Sequence, residues 1–222
     1  MSRIKLVIFD IAGTIIEDHG EVVHAFAAAL QKNGIAFTED ELKKWKGASK
    51  REVIRHFAGR GGADNEQLVE TTYQSFRVEL EHSYDRELRP IAGAETTFAW
   101  CREHQITMAT TTGFYSEISG LILKRIGWKN LFAANISSND VKQGRPAPDM
   151  ILRAMEQTGI GNAREVMNVG DTPLDLQAGT NGGAGAVVGV LTGAHTREEL
   201  EREPHTHIIE SIAELPDLIC RF

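Results

Sequence analysis

Four short polar clusters follow apolar runs in this chain, and each ends on residues suited to handling phosphate: Asp10-Ile11-Ala12-Gly13-Thr14, Thr111-Thr112-Gly113, Lys142-Gln143-Gly144-Arg145-Pro146 and Gly170-Asp171-Thr172-Pro173-Leu174-Asp175. Carboxylates gathered without histidine or cysteine select hard cations, and Mg²⁺ in particular is held by one or two of them together with phosphate oxygens. A carboxylate that attacks phosphorus forms an acyl phosphate and divides one displacement into two, which makes Asp10 the candidate nucleophile. The competing role for Asp10 is a helix cap. That needs a helix to begin at once, and Gly13 with β-branched Thr14, Ile15 and Ile16 opposes one.

Asp171 and Asp175 flank a loop entering a helix whose first turn suits Pro173, so Asp171 or Thr172 also fits as its cap. Two aspartates at one strand end opposite Asp10 favour Asp171 as a metal ligand and Asp175 as a support for metal waters or for Arg145. The Thr112 hydroxyl and the Gly113 amide can donate to phosphate oxygens, because glycine permits close backbone approach. Thr110 and Thr111 read as ordinary strand residues. Arg145 precedes Pro146 and is therefore biased to extended backbone, and its guanidinium fork matches phosphate geometry.

These clusters converge only if the apolar runs before them are neighbouring strands. Ile4–Phe9, Ile106–Thr111, Phe132–Ile136, Val166–Val169, Ala186–Val190 and Thr206–Ile209 are short and rich in β-branched residues, as buried parallel strands are. Helical patterns separate them at Thr96–Glu103, Ser116–Ile126, Asp149–Thr158, Pro173–Ala178 and Thr196–Arg202, and Ser211 opens a last one. Strands alternating with helices predict a parallel sheet with its ligand crevice at the strand carboxyl ends. The alternation breaks once. Between the first strand and Pro90 the sequence predicts only helices, at Val22–Gln31, Glu39–Trp45, Lys50–Ala58 and Asn65–His82, punctuated by glycines that include Gly34, Gly47, Gly59 and Gly62. This is an inserted helical domain.

In order and spacing, Asp10-x-x-Gly13-Thr14, a strand ending at Thr112, Gly144-Arg145-Pro146-x-Pro148-Asp149 and Gly170-Asp171-Thr172-x-x-Asp175 resemble the four motifs of the haloacid dehalogenase superfamily. The helical insert resembles its cap. The resemblance spans essentially the whole chain and implies an α/β fold, with a Rossmann-like parallel-sheet core at 1–16 and 91–222 and a helical cap at 17–90. It further implies Mg²⁺-dependent hydrolysis through an aspartyl-phosphate on Asp10. Asp10, the Ala12 carbonyl, Asp171 and Asp175 would surround the metal, and Arg145, Thr112 and Gly113 the phosphoryl group.

Most phosphatases of that superfamily carry a second aspartate two residues after the first, whereas Ala12 stands there, as in the phosphonatase branch. Thr111-Thr112-Gly113-Phe114 and Gly144-Arg145-Pro146 are also similar to that branch. Gly47-Ala48-Ser49-Lys50 resembles its substrate loop and puts Lys50 where the branch forms an imine with an aldehyde substrate. On residue type alone Lys50 is not distinguished from Lys43, Lys44 or Lys46. Lys46, Gly20, Phe114 and Val53 depart from the branch, which has methionine, cysteine, tyrosine and histidine at those pocket positions. Ala12 and Lys50 agree chemically. An aspartate at position 12 would protonate an alkoxide leaving group, worth roughly 10²–10⁴-fold, while P–C cleavage needs its carbanion delocalised, and an imine is such an electron sink.

The substrate expected is therefore a small phosphonate or phosphate metabolite. Two alternatives use the same residues: a phosphoglycolate-phosphatase-like or sugar-phosphate phosphatase, in which Lys50 only binds substrate and a group such as His19 is the base, and a non-catalytic phosphate-binding regulatory protein. Composition bounds the rest. Two hundred and twenty-two residues are enough for a main domain with a companion, and 41% apolar with 25% charged residues is ordinary globular usage, which excludes a disordered chain. A net charge of −7 disfavours nucleic acid and anionic lipid as partners, so an anionic substrate needs a local cation. No apolar run approaches a membrane span and Met1–Phe9 lacks a signal-peptide core, so the expected location is the cytoplasm. Cys101 and Cys220 form no zinc or disulfide pattern. Phe26 and Leu30 in the first cap helix suit either a dimer surface or the cap interior, so monomer and homodimer both remain open.

Overall fold

A computed structural model of the chain describes residues 3–45, 47–61, 65–86, 88–193 and 195–222. Six strands, β1 (Leu6–Phe9), β2 (Thr107–Thr112), β3 (Ala134–Ser137), β4 (Val166–Gly170), β5 (Ala186–Val190) and β6 (His207–Ile209), form one sheet in the order β3-β2-β1-β4-β5-β6. Every pairing is parallel, with Phe9 opposite Thr110 on one side and Val169 on the other. The chain reverses its direction of growth at β1, and there the two halves leave a crevice at the carboxyl ends.

Helices α5 (Ala94–Glu103), α6 (Ser116–Arg125), α7 (Asp149–Thr158), α8 (Pro173–Asn181), α9 (Arg197–Glu201) and α10 (Leu215–Ile219) link or flank these strands. Local chemistry sets several of their starts. Thr172 and Asp175 form a capping box on α8, Thr196 and Glu199 one on α9, and Ser211 with Glu214 one on the turn leading into α10. Two apolar layers follow. Phe9 packs edge-on to Phe98 and Phe132 on one face, while Leu6, Ile8, Ile136, Met150, Ile151 and Leu176 fill the other.

The expected elements exist with shifted ends. The first strand begins at Leu6 rather than Ile4, the third is displaced two residues to Ala134, and α8 runs on to Asn181. Gly179 explains the last shift. A Cβ there would meet Asn168 and Val187 at 3.1 Å, so the glycine lets the helix lie close on the sheet.

Between β1 and α5 come α1 (Glu21–Lys32), α2 (Glu39–Lys43), α3 (Lys50–Ala58) and α4 (Glu66–Arg86), which form the inserted cap. Phe26 stacks on Phe76 at 4.4 Å between ring centroids, and Leu30 is fully buried, so both side chains belong to the cap interior rather than to an exposed face. The two linkers between cap and core run side by side. Glu17 N–H donates to Arg89 O and Ile91 N–H to Ile15 O, each at 2.9 Å. Among the described residues no helix is long and apolar enough to cross a membrane. Cys101 is buried and Cys220 exposed, both as free thiols.

Candidate active site

Asp10 stands one residue beyond β1 and is 6% exposed, with its amide donating to Val169 O at 2.9 Å. Asp171 and Asp175, one at the end of β4 and one in the first turn of α8, are 3% and 1% exposed. The three carboxylates offer oxygen atoms within 4.8 Å of one another. Gly13 makes this approach possible. Its φ is +85°, and a Cβ would stand 2.6 Å from Asp171 Oδ2. Thr14 Oγ1 then donates to Asp171 Oδ1 at 3.3 Å, and Thr192 Oγ1 ties the turn by donating to Gly13 O at 2.7 Å.

Arg145 lies at the centre of this charge cluster. Its Nη1 is 2.7 Å from Asp10 Oδ1 and 2.8 Å from Asp175 Oδ1, while Nη2 donates to Thr111 O at 3.0 Å and Thr111 Oγ1 at 2.9 Å. Thr111 is therefore the anchor of the arginine, a role the strand pattern did not reveal, since its side chain has ordinary strand chemistry. Asp175 combines the two roles weighed for this motif. Its Oδ2 accepts from Thr172 N–H at 3.1 Å and Thr172 Oγ1 at 2.6 Å, which caps α8, and Oδ1 faces the guanidinium.

Thr112, Gly113 and Ala12 join Asp10 and Asp171 on the core side of a cavity of about 30 Å³. The Thr112 hydroxyl accepts from Phe114 N–H at 3.2 Å, which shapes the loop. On the cap side are Gly47, Lys50, Val22 and Asp18. The cap loop seats directly on the core. Lys50 N–H donates to Gly113 O at 3.3 Å, and a Cβ on Gly113 would stand 2.6 Å from Gly47 O. Lys50 is 5% exposed, an unusual degree of burial for lysine. Its Nζ donates to Ala48 O at 3.2 Å and lies 4.7 Å from the Phe114 ring centroid.

The structure thus brings together every residue expected at the site from its motifs. Val53 is fully buried in the cap interior and Phe114 faces Lys50, whereas Lys46 and Gly62 lie outside the described residues. His19 is exposed, bonded to Glu17 at 3.0 Å, and is not among the residues that line the cavity. Asp18, which also lines the cavity, was missed. An acidic residue in a linker carries no local signal, because solvated roles are far commoner.

Burial sets the electrostatics. It raises the Asp10 carboxyl to about 7; Arg145 pulls this down and Asp175 pushes it up. Burial also lowers the Lys50 ammonium to about 8, opposed chiefly by Asp10. Three buried carboxylates outnumber the two cations beside them, Arg145 and, across the cavity, Lys50, and leave excess negative charge among hard oxygen donors. That is the chemistry of a Mg²⁺ site, and the residues fit the ion.

The chain belongs to the haloacid dehalogenase-like hydrolases, whose family profile matches residues 7–189. It is 34% identical over 199 residues to phosphonoacetaldehyde hydrolase of Latilactobacillus sakei subsp. sakei (strain 23K), across 82% of this chain and 74% of that protein. It is 30% identical to phosphonoacetaldehyde hydrolase of Bacillus cereus, across 95% of this chain and 86% of that one. A solved phosphonoacetaldehyde hydrolase-like protein from Oleispira antarctica shares the fold with a TM-score of 0.86 at 23% identity, covering 99% of this chain and 92% of its own. A hydrolase from Pseudomonas syringae does so with a TM-score of 0.88 at 20% identity, covering 98% and 99%.

Proposed function

We propose that the protein is a Mg²⁺-dependent hydrolase of the phosphonatase kind, releasing phosphate from a small carbonyl-bearing phosphonate. The observation that carries this reading is Lys50, an amine buried in the same cavity as Asp10 and, through burial, lowered to about 8. Such an amine is partly neutral near neutral pH and can attack a carbonyl carbon. Similarity to the named phosphonoacetaldehyde hydrolases supports the same substrate class.

In this reading residues 17–90 are the cap and the remainder the core. Asp10, the Ala12 carbonyl and Asp171 hold the metal, with Asp175 beside them. When bound, Mg²⁺ screens the negative charge between the Asp10 carboxylate and the phosphoryl oxygens. Lys50 condenses with the substrate carbonyl, releasing water and leaving a protonated imine. Asp10 attacks phosphorus, the P–C electron pair passes into that imine to give an enamine, and phosphate is then held as the Asp10 acyl phosphate. Protonation of the enamine carbon and hydrolysis return Lys50 and release the aldehyde, and water cleaves the acyl phosphate. Arg145 fixes the Asp10 carboxylate, and Thr112 with the Gly113 amide faces the phosphoryl group. Ala12 fits this route, because a carbanion leaving group delocalised through Lys50 has no need of the alkoxide-protonating aspartate.

Phosphate release from phosphonoacetaldehyde and from a panel of phosphate esters, with and without Mg²⁺, tests the reading. It expects Mg²⁺-dependent release from the phosphonate and little from esters. Brisk hydrolysis of an ester with no phosphonate turnover contradicts it and favours the phosphatase alternative.

A further inference from the structure

Three consecutive residues after β2 meet the start of α3. Lys50 N–H donates to Gly113 O at 3.3 Å, Lys50 Nζ lies 4.7 Å from the Phe114 ring centroid, and the Arg51 guanidinium lies 4.8 Å from the Tyr115 ring centroid. Lys50 and Arg51 are about 100° apart around the helix, so one head group enters the cavity while the other stays outside it. Lys50 and Phe114 line the cavity; Arg51 and Tyr115 do not.

The outer pair has its own supports. Arg51 also lies 4.2 Å from the Tyr73 ring centroid, and the Tyr73 and Tyr115 rings are 5.1 Å apart at 48°. Glu70 of α4 accepts from Arg51 Nη1 and is itself held by Gln74 Nε2 at 2.6 Å. Arg51 Nε is buried with no hydrogen-bond partner. Hydrogen bonding alone would not leave that donor bare, so the two rings account for where the head sits, and a planar guanidinium stacks on rings as an ammonium does not. Tyr115 occupies the N-cap of α6, where its side chain makes no capping hydrogen bond, although Ser, Thr, Asp and Asn are the residues that favour this place. Asn139 Oδ1 takes over by accepting from Ser116 N–H at 2.9 Å. Position 115 thus holds a ring where a capping side chain would ordinarily stand, and that ring packs on the inserted helices.

We propose that Arg51 and Tyr115 clamp the inserted helices to the core and set the register that keeps Lys50 Nζ in the cavity. They are positioning residues, and their consequence for turnover rests on the reading of Lys50 as the reacting amine. With the clamp closed, Lys50 shares a cavity with Asp10. With it broken, the start of α3 leaves the loop after β2 and the amine meets solvent. The contacts between Arg51 and Tyr115 exist only while the two domains meet, so losing them raises the open population by the factor those contacts are worth.

Acetylation of Lys50 by acetic anhydride in Mg²⁺, mapped by peptide mass against the exposed Lys129, reads that population without any substrate. Tyr115→Leu and Arg51→Gln are expected to raise it by about fivefold or more, and Tyr115→Phe, which keeps the ring, to stay within about twofold of the parent. With phosphonoacetaldehyde and borohydride the order reverses. The first two variants should form the Lys50 adduct more slowly than the parent, because their amine has left the cavity. A general loss of packing would not follow the ring in this way. Arg51→Gln carries the test should Tyr115→Leu not fold. Unchanged acetylation in the variants that fold, or Tyr115→Phe labelled as fast as Tyr115→Leu, overturns the clamp. The expected acetylation pattern in proteins that form no adduct leaves the clamp standing and overturns the imine reading alone.

Discussion

At the residue scale the site is a charge balance built by burial. Arg145 stands between Asp10 and Asp175 and is tied to Thr111, so removing it leaves two buried carboxylates facing each other. Arg145→Ala should cost about 3–5 kcal/mol of stability in chemical denaturation without metal, and Mg²⁺ should recover part of the loss. Lys50 gives the pH dependence. Its amine is cationic below about 8 and neutral above, so imine formation should rise with pH to a midpoint near 8. Adduct yield against pH, quenched rapidly with borohydride, measures it; a midpoint above 10 would show a solvated lysine instead. Much of this balance was legible in advance. Asp10, Thr112, Arg145, Asp171 and Asp175 announce themselves by following buried strands or by their motif order. The tie from Arg145 to Thr111 was not, because it joins residues 34 positions apart and depends on which way one strand side chain faces.

At the element scale the short cap loop before α3 matters most. It seats on the loop after β2 with backbone so close that Gly113 has no room for a methyl group, its Cβ falling 2.6 Å from Gly47 O and nearer still to Ala48 O. Gly113→Ala should therefore keep the sheet intact but hold the cap loop off the core, raising KM and lowering kcat by tenfold or more, in the range that misplacement by an ångström produces (about 10²-fold). Hydrogen exchange should show faster amides in α3 and unchanged β1. Unchanged kinetics would mean that the seating is incidental. Helical periodicity predicted the inserted helices because each buries one stripe, yet it could not show how the cap sits on the core. That placement comes from long-range contacts, such as Arg51 of α3 packed over the adjoining rings of Tyr73 on the cap and Tyr115 on the core, at 4.2 and 4.8 Å.

At the scale of the whole molecule, a parallel sheet gathers the candidate site residues at the carboxyl ends of its strands and the inserted helices cover them, leaving a cavity of about 30 Å³, so that in the proposed reading the cap must lift to admit a substrate. In the proposed reading the metal belongs to this scale, because the residues that would hold it, Asp10 and Asp171, follow β1 and β4 from the two halves of the sheet. Saturation with Mg²⁺ at 100 times its dissociation constant should add about 2.7 kcal/mol of stability, and Asp171→Ala should lose that gain while remaining folded; thermal denaturation with increasing Mg²⁺ measures both. The proposed reaction joins the two domains, with Asp10 from the core taking the phosphoryl group and Lys50 from the cap holding the carbon. The most direct measurement is peptide mass mapping after borohydride is added during turnover of phosphonoacetaldehyde. A reduced two-carbon adduct is expected on the peptide containing Lys50, absent in Lys50→Arg, with activity lost in proportion to labelling. Full phosphate release from phosphonoacetaldehyde without any adduct at Lys50 would contradict it.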